Sequence, residues 1–280
     1  MDKIAFVVLH YESLDDTKKC LDSLMKYRED PRVEIIAVDN GSSKGKLETL
    51  APQYGEKSKI HFIYSEENLG FARGNNLGFK YAKYELGAKM IVLCNNDLVF
   101  RQEDFVDRLI HSCEKTGFDV AGPKILSLVD HKNQNPVSVQ YRSLKDVNMR
   151  ILKDSILAFL CRFNLDCYAR RLFAKEVPEV TYEPGMEFQL HGACMFFANR
   201  FVENYDGLCD RTFMYGEENI LKYMTVKDGM HMAYLDDVIV HHKEGSATGK
   251  LYGKGQAKRQ FYYKWKLHGA KQLKQMMQEA

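Results

Sequence analysis

Carboxylates stand in three places of this 280-residue sequence where an acid is costly unless it has a partner. Asp97 follows the apolar run Met90 to Cys94, which is long enough for a buried strand and too short for a helix. The run breaks into Asn95, Asn96 and Asp97 and turns apolar again at Leu98. In open α/β sheets such strand tips are where ligands bind. Asp97 is therefore either a divalent-metal ligand or a polar turn residue. Asp39 ends a second apolar run, residues 33–38, and can face the same cleft or form an Asx-turn. Glu217 and Glu218 are adjacent after Phe213-Met214-Tyr215-Gly216 and suit a helix N-terminus. His241 and His242 close the strand-like stretch 231–240, and because strand side chains alternate only one of them should enter a cleft.

The elements that must position these groups read as a parallel sheet. Residues 4–9, 33–38, 60–64 and 90–94 are strand candidates, each ending in polar residues. Leu14, Lys18, Leu21 and Leu24 recur at helical spacing, a second helix runs from near Gly70 to Leu86, and a third covers roughly 103–116. Strand, helix, strand with polar carboxyl-end loops is the βαβ pattern of an α/β protein. Residues 130–148 read as a polar loop and 149–173 as an amphipathic helical pair with a basic face. Gly192-Ala193 is a small-residue pair that lets a backbone or ligand come close.

Composition narrows the classes. The length allows one large α/β domain or two small ones. No apolar run approaches the roughly 20 residues of a membrane span, and the N-terminus lacks signal-peptide features. The seven cysteines form no C-x-x-C pair, which predicts a reducing cytosol and mostly buried thiols, hence a cytoplasmic protein. From Lys250 to Lys274 there are eight Lys or Arg and no acid, interleaved with Tyr252, Phe261, Tyr262, Tyr263 and Trp265. This tail is either a solvated helix face, a segment packed in part on the cleft, or, with 149–173, a contact for an anionic membrane surface at the inner face of the cytoplasmic membrane. No nucleic-acid module accompanies it, so no nucleic-acid partner is expected. A dehydrogenase would need G-x-G-x-x-G after the first strand, where HYESLDD stands instead.

Taken in order, VVLHYES with IIAVDNGSS, ENLGFARGNNLG, MIVLCNNDLVF, and LHGACMFFANR followed by FMYGEEN and VIVHHKEGSAT resemble the blocks of family 2 glycosyltransferases of the rhamnosyl and capsular-polysaccharide kind. The resemblance covers about residues 3–127 and 186–249. It implies a GT-A fold, with a Rossmann-like, mostly parallel sheet flanked by helices. It implies a catalytic domain over 1–249 (nucleotide-binding half 1–127, helical insertion 128–185, acceptor half 186–249) and a tail over 250–280. The implied reaction is inverting transfer from a UDP- or dTDP-sugar, of rhamnose or hexose type, to a saccharide or lipid-linked saccharide in cell-surface polysaccharide biosynthesis. The implied cofactor is Mg²⁺ or Mn²⁺, held by Asp97 and by His242, with His241 the alternative. The same resemblance puts Asn95 near the ribose, Asp39 on the base N3–H and Asn76 on the donor. Arg73 is then a phosphate clamp or a surface arginine. Glu218 becomes the general base, in a place where many members read Glu-Asp and this chain reads Glu217-Glu218. The competing reading is a nucleotide-sugar- or carbohydrate-binding module without catalysis, for which Asn95 in place of an Asp would be the first sign.

Overall fold

Alternating side chains of four apolar strands feed two cores. In the computed structural model, which describes residues 2–55, 58–173, 182–243 and 255–279, these strands are β1 (Ile4–His10), β2 (Val33–Asn40), β3 (Ile60–Ser65) and β4 (Met90–Asn95). They pair in parallel in the order β3-β2-β1-β4. Phe6, Val8, Ile35, Ala37 and Val92 point to one face and Ala5, Val7, Ile36, Val38 and Ile91 to the other. A sheet covered on both faces requires such continuous apolar strands. The helices that cover it are α1 (Leu14–Leu24), α2 (Phe71–Lys80) and α3 (Phe105–Thr116). Leu21, Leu24, Phe105 and Leu109 close one core, while Ala72 and Phe79 close the other.

The second half of the chain widens the sheet. β5 (Leu98–Val99) and β6 (Val120–Ser127) follow β4. β7 (Val137–Ser138) pairs only with β8 (Phe188–Gln189), as a separate ribbon. β9 (Cys194–Phe197) enters antiparallel between β4 and β6, and β10 (Met232–His242) completes the eight-stranded order β3-β2-β1-β4-β9-β6-β10-β5. The remaining helices are α4 (Leu144–Cys161), α5 (Asp166–Phe173), α6 (Asn199–Asn204), α7 (Glu217–Lys227) and α8 (Gln256–Glu279).

Two expectations change. The polar stretch 130–148 is not wholly loop: it holds β7, and α4 starts at Leu144 because the Ser143 hydroxyl caps it by accepting from the Asp146 N–H. β10 runs past 240, so both histidines lie on the strand. Of the readings of the basic tail, the packed one fits its described aromatics: Tyr263 is buried, Trp265 stacks on Phe213 at 4.5 Å between ring centroids, and α8 packs against α4 and α7. Residues 250–254 of that tail lie outside the described residues. The four buried thiols, Cys20, Cys94, Cys161 and Cys194, match the cysteine reading. Among the described residues no helix is long and apolar enough to cross a membrane.

Candidate active site

Parallel pairing in register sets the carboxyl ends of β1, β2 and β4 side by side, with His10 opposite Asp39 and Leu9 opposite Asn95. A cleft of about 420 Å³ opens at this edge. Its walls are the strand ends (Leu9, Asn40, Asn95, Asn96, Asp97), the loop before β9 (His191, Gly192, Ala193), the start of α7 (Tyr215, Glu217, Glu218) and the end of β10 (His242).

Asp97 and His242 meet in this cleft. β5 runs antiparallel to β10 with Leu98 opposite His242, which brings His242 Nε2 to 3.3 Å from Asp97 Oδ1. The other ring nitrogen, Nδ1, lies 2.7 Å from Gln134 Oε1, an oxygen that only accepts. Nδ1 therefore donates and fixes the ring, which directs Nε2 at the carboxylate. One carboxylate oxygen and one oriented imidazole nitrogen suit a divalent ion that keeps positions open for phosphate. Among the described residues no group of three or more His, Cys, Asp or Glu side chains is arranged to hold a metal. Asp97 and His242 are thus the two residues of the cleft that could hold such an ion.

His242 rather than His241 lines the cleft because β10 is irregular. Leu235 pairs with Pro123 and Ile239 with Lys124, so three residues of β10 face a single step of β6 and the alternation changes parity.

Glu218 is placed by contacts from three directions. Tyr215 and Gly216 both have positive φ, 68° and 107°, and turn the chain sharply into α7. Such backbone at a non-glycine residue is a strain found at functional sites. The Phe213 carbonyl accepts from the Phe71 N–H at 2.7 Å, and a Cβ on Gly70 would stand 2.2 Å from that oxygen. On the opposite side Gly269 of α8 lies against the turn, where a Cβ would come within 2.3 Å of Tyr215 O. The Glu218 carboxylate itself lies over Gly192, whose backbone favours the charged form; a Cβ there would stand 2.4 Å from Oε1. Burial pushes the Glu218 carboxyl above the usual range. Burial and then the neighbouring Glu218 charge push Glu217 up to about 7, although it accepts from Thr212 Oγ1 at 2.9 Å. Glu218 also lines a second cavity of about 150 Å³, with Gln140, Tyr141, Asn219, Tyr262 and Lys266. One carboxylate thus borders both spaces.

The other expected residues divide. Asn95 lines the cleft at the tip of β4. Asp39 is buried, and its two oxygens accept from the Ser42 and Leu47 N–H groups at 2.9 and 2.8 Å, ordering the loop after β2. Asn76 is not brought to the cleft: its amide donates to Leu208 O and accepts from Leu208 N, each at 2.8 Å, holding a loop 132 positions away. Arg73 is not brought there either. It is exposed and donates to Asp210 O at 3.1 Å, because it sits on the outward face of α2. Gln134 and His191 join the site without having been expected. Gln134 comes from the stretch read as loop, where a lone amide carries no distinguishing signal. His191 lies in the block around Gly192, and its ring packs 5.8 Å from that of His242.

Known proteins share this architecture. The model of glycosyl transferase family 2 matches residues 5–171. The chain is 23% identical over 253 residues to the low-salt glycan biosynthesis hexosyltransferase Agl10 of Haloferax volcanii, covering 87% of this chain and 68% of that protein. In structure it is similar to S. aureus TarS 1-349 in complex with UDP-GlcNAc, with a TM-score of 0.55 at 15% identity, over 89% of this chain and 61% of that one. It is also similar to the mannosyltransferase PcManGT of Pyrobaculum calidifontis in complex with GDP-Man and Mn²⁺, with a TM-score of 0.54 at 13% identity, over 99% and 75%. The chain thus spans about three fifths of the TarS fragment. The mostly parallel sheet flanked by helices is a GT-A fold. With the family pattern running through both the strand tips and α4, the chain belongs to glycosyl transferase family 2.

Proposed function

We propose that this chain transfers a sugar, with inversion, from a UDP- or dTDP-sugar of rhamnose or hexose type to a hydroxyl of a saccharide or lipid-linked saccharide, in the synthesis of cell-surface polysaccharide at the inner face of the cytoplasmic membrane. The observation that carries this reading is Glu218, whose carboxylate borders two cavities while Asp97 and His242 line the larger one. The larger cavity takes the donor and the smaller the acceptor. Nucleotide sugars bound to PcManGT and TarS support the donor class.

The donor nucleotide lies along the strand tips, with Asn95 beside the ribose. Asp39 reads the base through the lone pairs that its two backbone hydrogen bonds leave over. Asp97 and His242 would hold a divalent cation, Mg²⁺ or Mn²⁺, which when bound would supply positive charge beside the diphosphate. Gln134 keeps His242 Nε2 directed at that place. Glu218 accepts the proton of the acceptor hydroxyl as its oxygen bonds to the anomeric carbon. The bond to the diphosphate breaks on the opposite face, and the leaving group takes the electron pair. The raised Glu218 pKa makes the carboxylate a stronger base than a solvated one, and Gly192 beneath it fixes its orientation.

The test uses UDP-, dTDP- and GDP-sugars with and without Mn²⁺. Thermal stabilisation reports donor binding by mass action; nucleoside diphosphate release with and without saccharide acceptors reports transfer. Metal-dependent stabilisation and acceptor-stimulated release are expected. Binding without release from any donor–acceptor pair returns the chain to the binding-module reading, and absence of both overturns the donor assignment.

A further inference from the structure

α4 is apolar on two sides. One side, with Val147, Leu157 and Cys161, is buried with Leu273 and Tyr263 of α8. The other carries Met149, Leu152, Ile156 and Phe159, continued by Phe163 in the turn that follows. Their spacing of three and four residues puts all five on one helical stripe. Each is between 48% and 62% exposed, and Leu165 and Tyr168 extend the patch at 49% and 67%. An exposed apolar patch of this kind marks an interaction surface.

Charge selects the occupant. Along 144–171 the exposed charged residues are Lys145, Arg162, Arg170 and Arg171 against Asp146 alone. The remaining acids, Asp154 and Asp166, are buried and bonded to Arg150 and Arg259 at 2.7 and 2.8 Å. A second copy of the chain would set this cationic surface against itself. An apolar stripe flanked by cations fits the boundary of an anionic phospholipid bilayer, with the apolar groups among the acyl chains and the cations at the headgroups. We propose that the α4 stripe, and not the basic face of α8, seats the protein on an anionic lipid surface. The position has a consequence for the site, resting on the transferase reading. A groove of about 490 Å³ beside the stripe is lined by Met149, Leu152 and Ile156 together with Gln140 and Tyr141. Gln140 and Tyr141 also line the cavity that Glu218 borders. An acceptor carried by a lipid reaches the base along this path.

Co-sedimentation with phosphatidylglycerol–phosphatidylcholine vesicles, and with phosphatidylcholine alone, tests the assignment. The wild type is expected to sediment with the anionic vesicles at low salt and to partition weakly into the neutral ones. Leu152→Ser and Phe159→Ser should each lower partitioning about tenfold. Arg170→Glu with Arg171→Glu should weaken it as well and flatten its salt dependence. Substituted side chains are exposed, so the thermal shift with UDP and Mn²⁺ should stay at its wild-type value. A wild type that stays in the supernatant, or stripe variants that sediment undiminished, overturn the proposal. So does light scattering that shows a dimer converted to monomer by the stripe variants, since the stripe would then belong to a second copy. The vesicle result does not depend on turnover, so failure of nucleotide binding in the wild type would overturn the functional reading alone.

Discussion

Gly192→Ala isolates the contact that orients the proposed base. The added Cβ would stand 2.4 Å from Glu218 Oε1, where ordinary contact begins at 3.4 Å, so the carboxylate must withdraw by about 1 Å. The backbone at Gly192 is outside the left-handed region, so alanine brings no strain of its own there. By chain entropy alone the substitution would stabilise the fold by about 0.4–1 kcal/mol. A reacting group displaced by about 1 Å costs on the order of a hundredfold in rate, or about 2.7 kcal/mol of barrier. The expected variant therefore melts near the wild-type temperature, binds UDP with Mn²⁺ at wild-type affinity by calorimetry, and releases nucleoside diphosphate about a hundredfold more slowly at saturating donor and acceptor. In a Glu218→Gln background the same substitution should cost little more, because both changes act on one group. Full turnover in Gly192→Ala, or a loss that multiplies with that of Glu218→Gln, would refute the placement of Glu218 as base.

The other expectations follow from neighbouring contacts. Glu218→Gln should slow turnover by roughly a hundred- to ten-thousand-fold with donor affinity retained, and Glu217→Gln should do less; steady-state kinetics on both variants decide which glutamate matters. The active form of Glu218 is ionised and burial raises its pKa, so kcat should climb with pH through a midpoint above the usual carboxylate range. Glu217 and Glu218 repel each other when both are ionised, so Glu217→Gln should move that midpoint to lower pH. Asp97→Asn should abolish Mn²⁺-dependent UDP binding without lowering the melting temperature, while Gln134→Leu should weaken Mn²⁺ affinity about ten- to a hundredfold by freeing the His242 ring; calorimetry separates the two. Gly269→Val should slow turnover more than it weakens UDP binding, since it presses on Tyr215 O in the turn that aims Glu218; steady-state kinetics beside calorimetry measure the difference.

The donor side of the site was legible wherever an apolar run stops abruptly. Asp97 and Asn95 could be placed at a strand tip because Met90 to Cys94 can only be a buried strand, and parallel pairing then carries the tips to one edge. What joins them from afar was less visible. β9 lies antiparallel between β4 and β6, an insertion that no local pattern announces. Counting alternation from Asp236 favours His241, and the irregular step between Leu235 and Ile239 reverses that count; the downstream motif pointed to His242. Asn76 and Arg73 sit in a glycine-rich motif that suggested donor contact, yet their partners are Leu208 and Asp210, residues no spacing rule connects to them. The amphipathic pattern of 149–173 was readable as helix, but periodicity alone does not tell a covered apolar face from a bare one.

The contact between Gly269 and the Tyr215–Gly216 turn has a consequence for how the protein is made. Synthesis delivers the tips of β1, β2 and β4, with Asp97, and then Glu218 before α8, and the early βαβ units can begin to fold as they emerge. The turn that aims Glu218 then still lacks one of its walls. On the proposed reading, the donor cleft takes shape before the turn that aims the base is complete, and the arrival of the α8 glycine supplies that last wall.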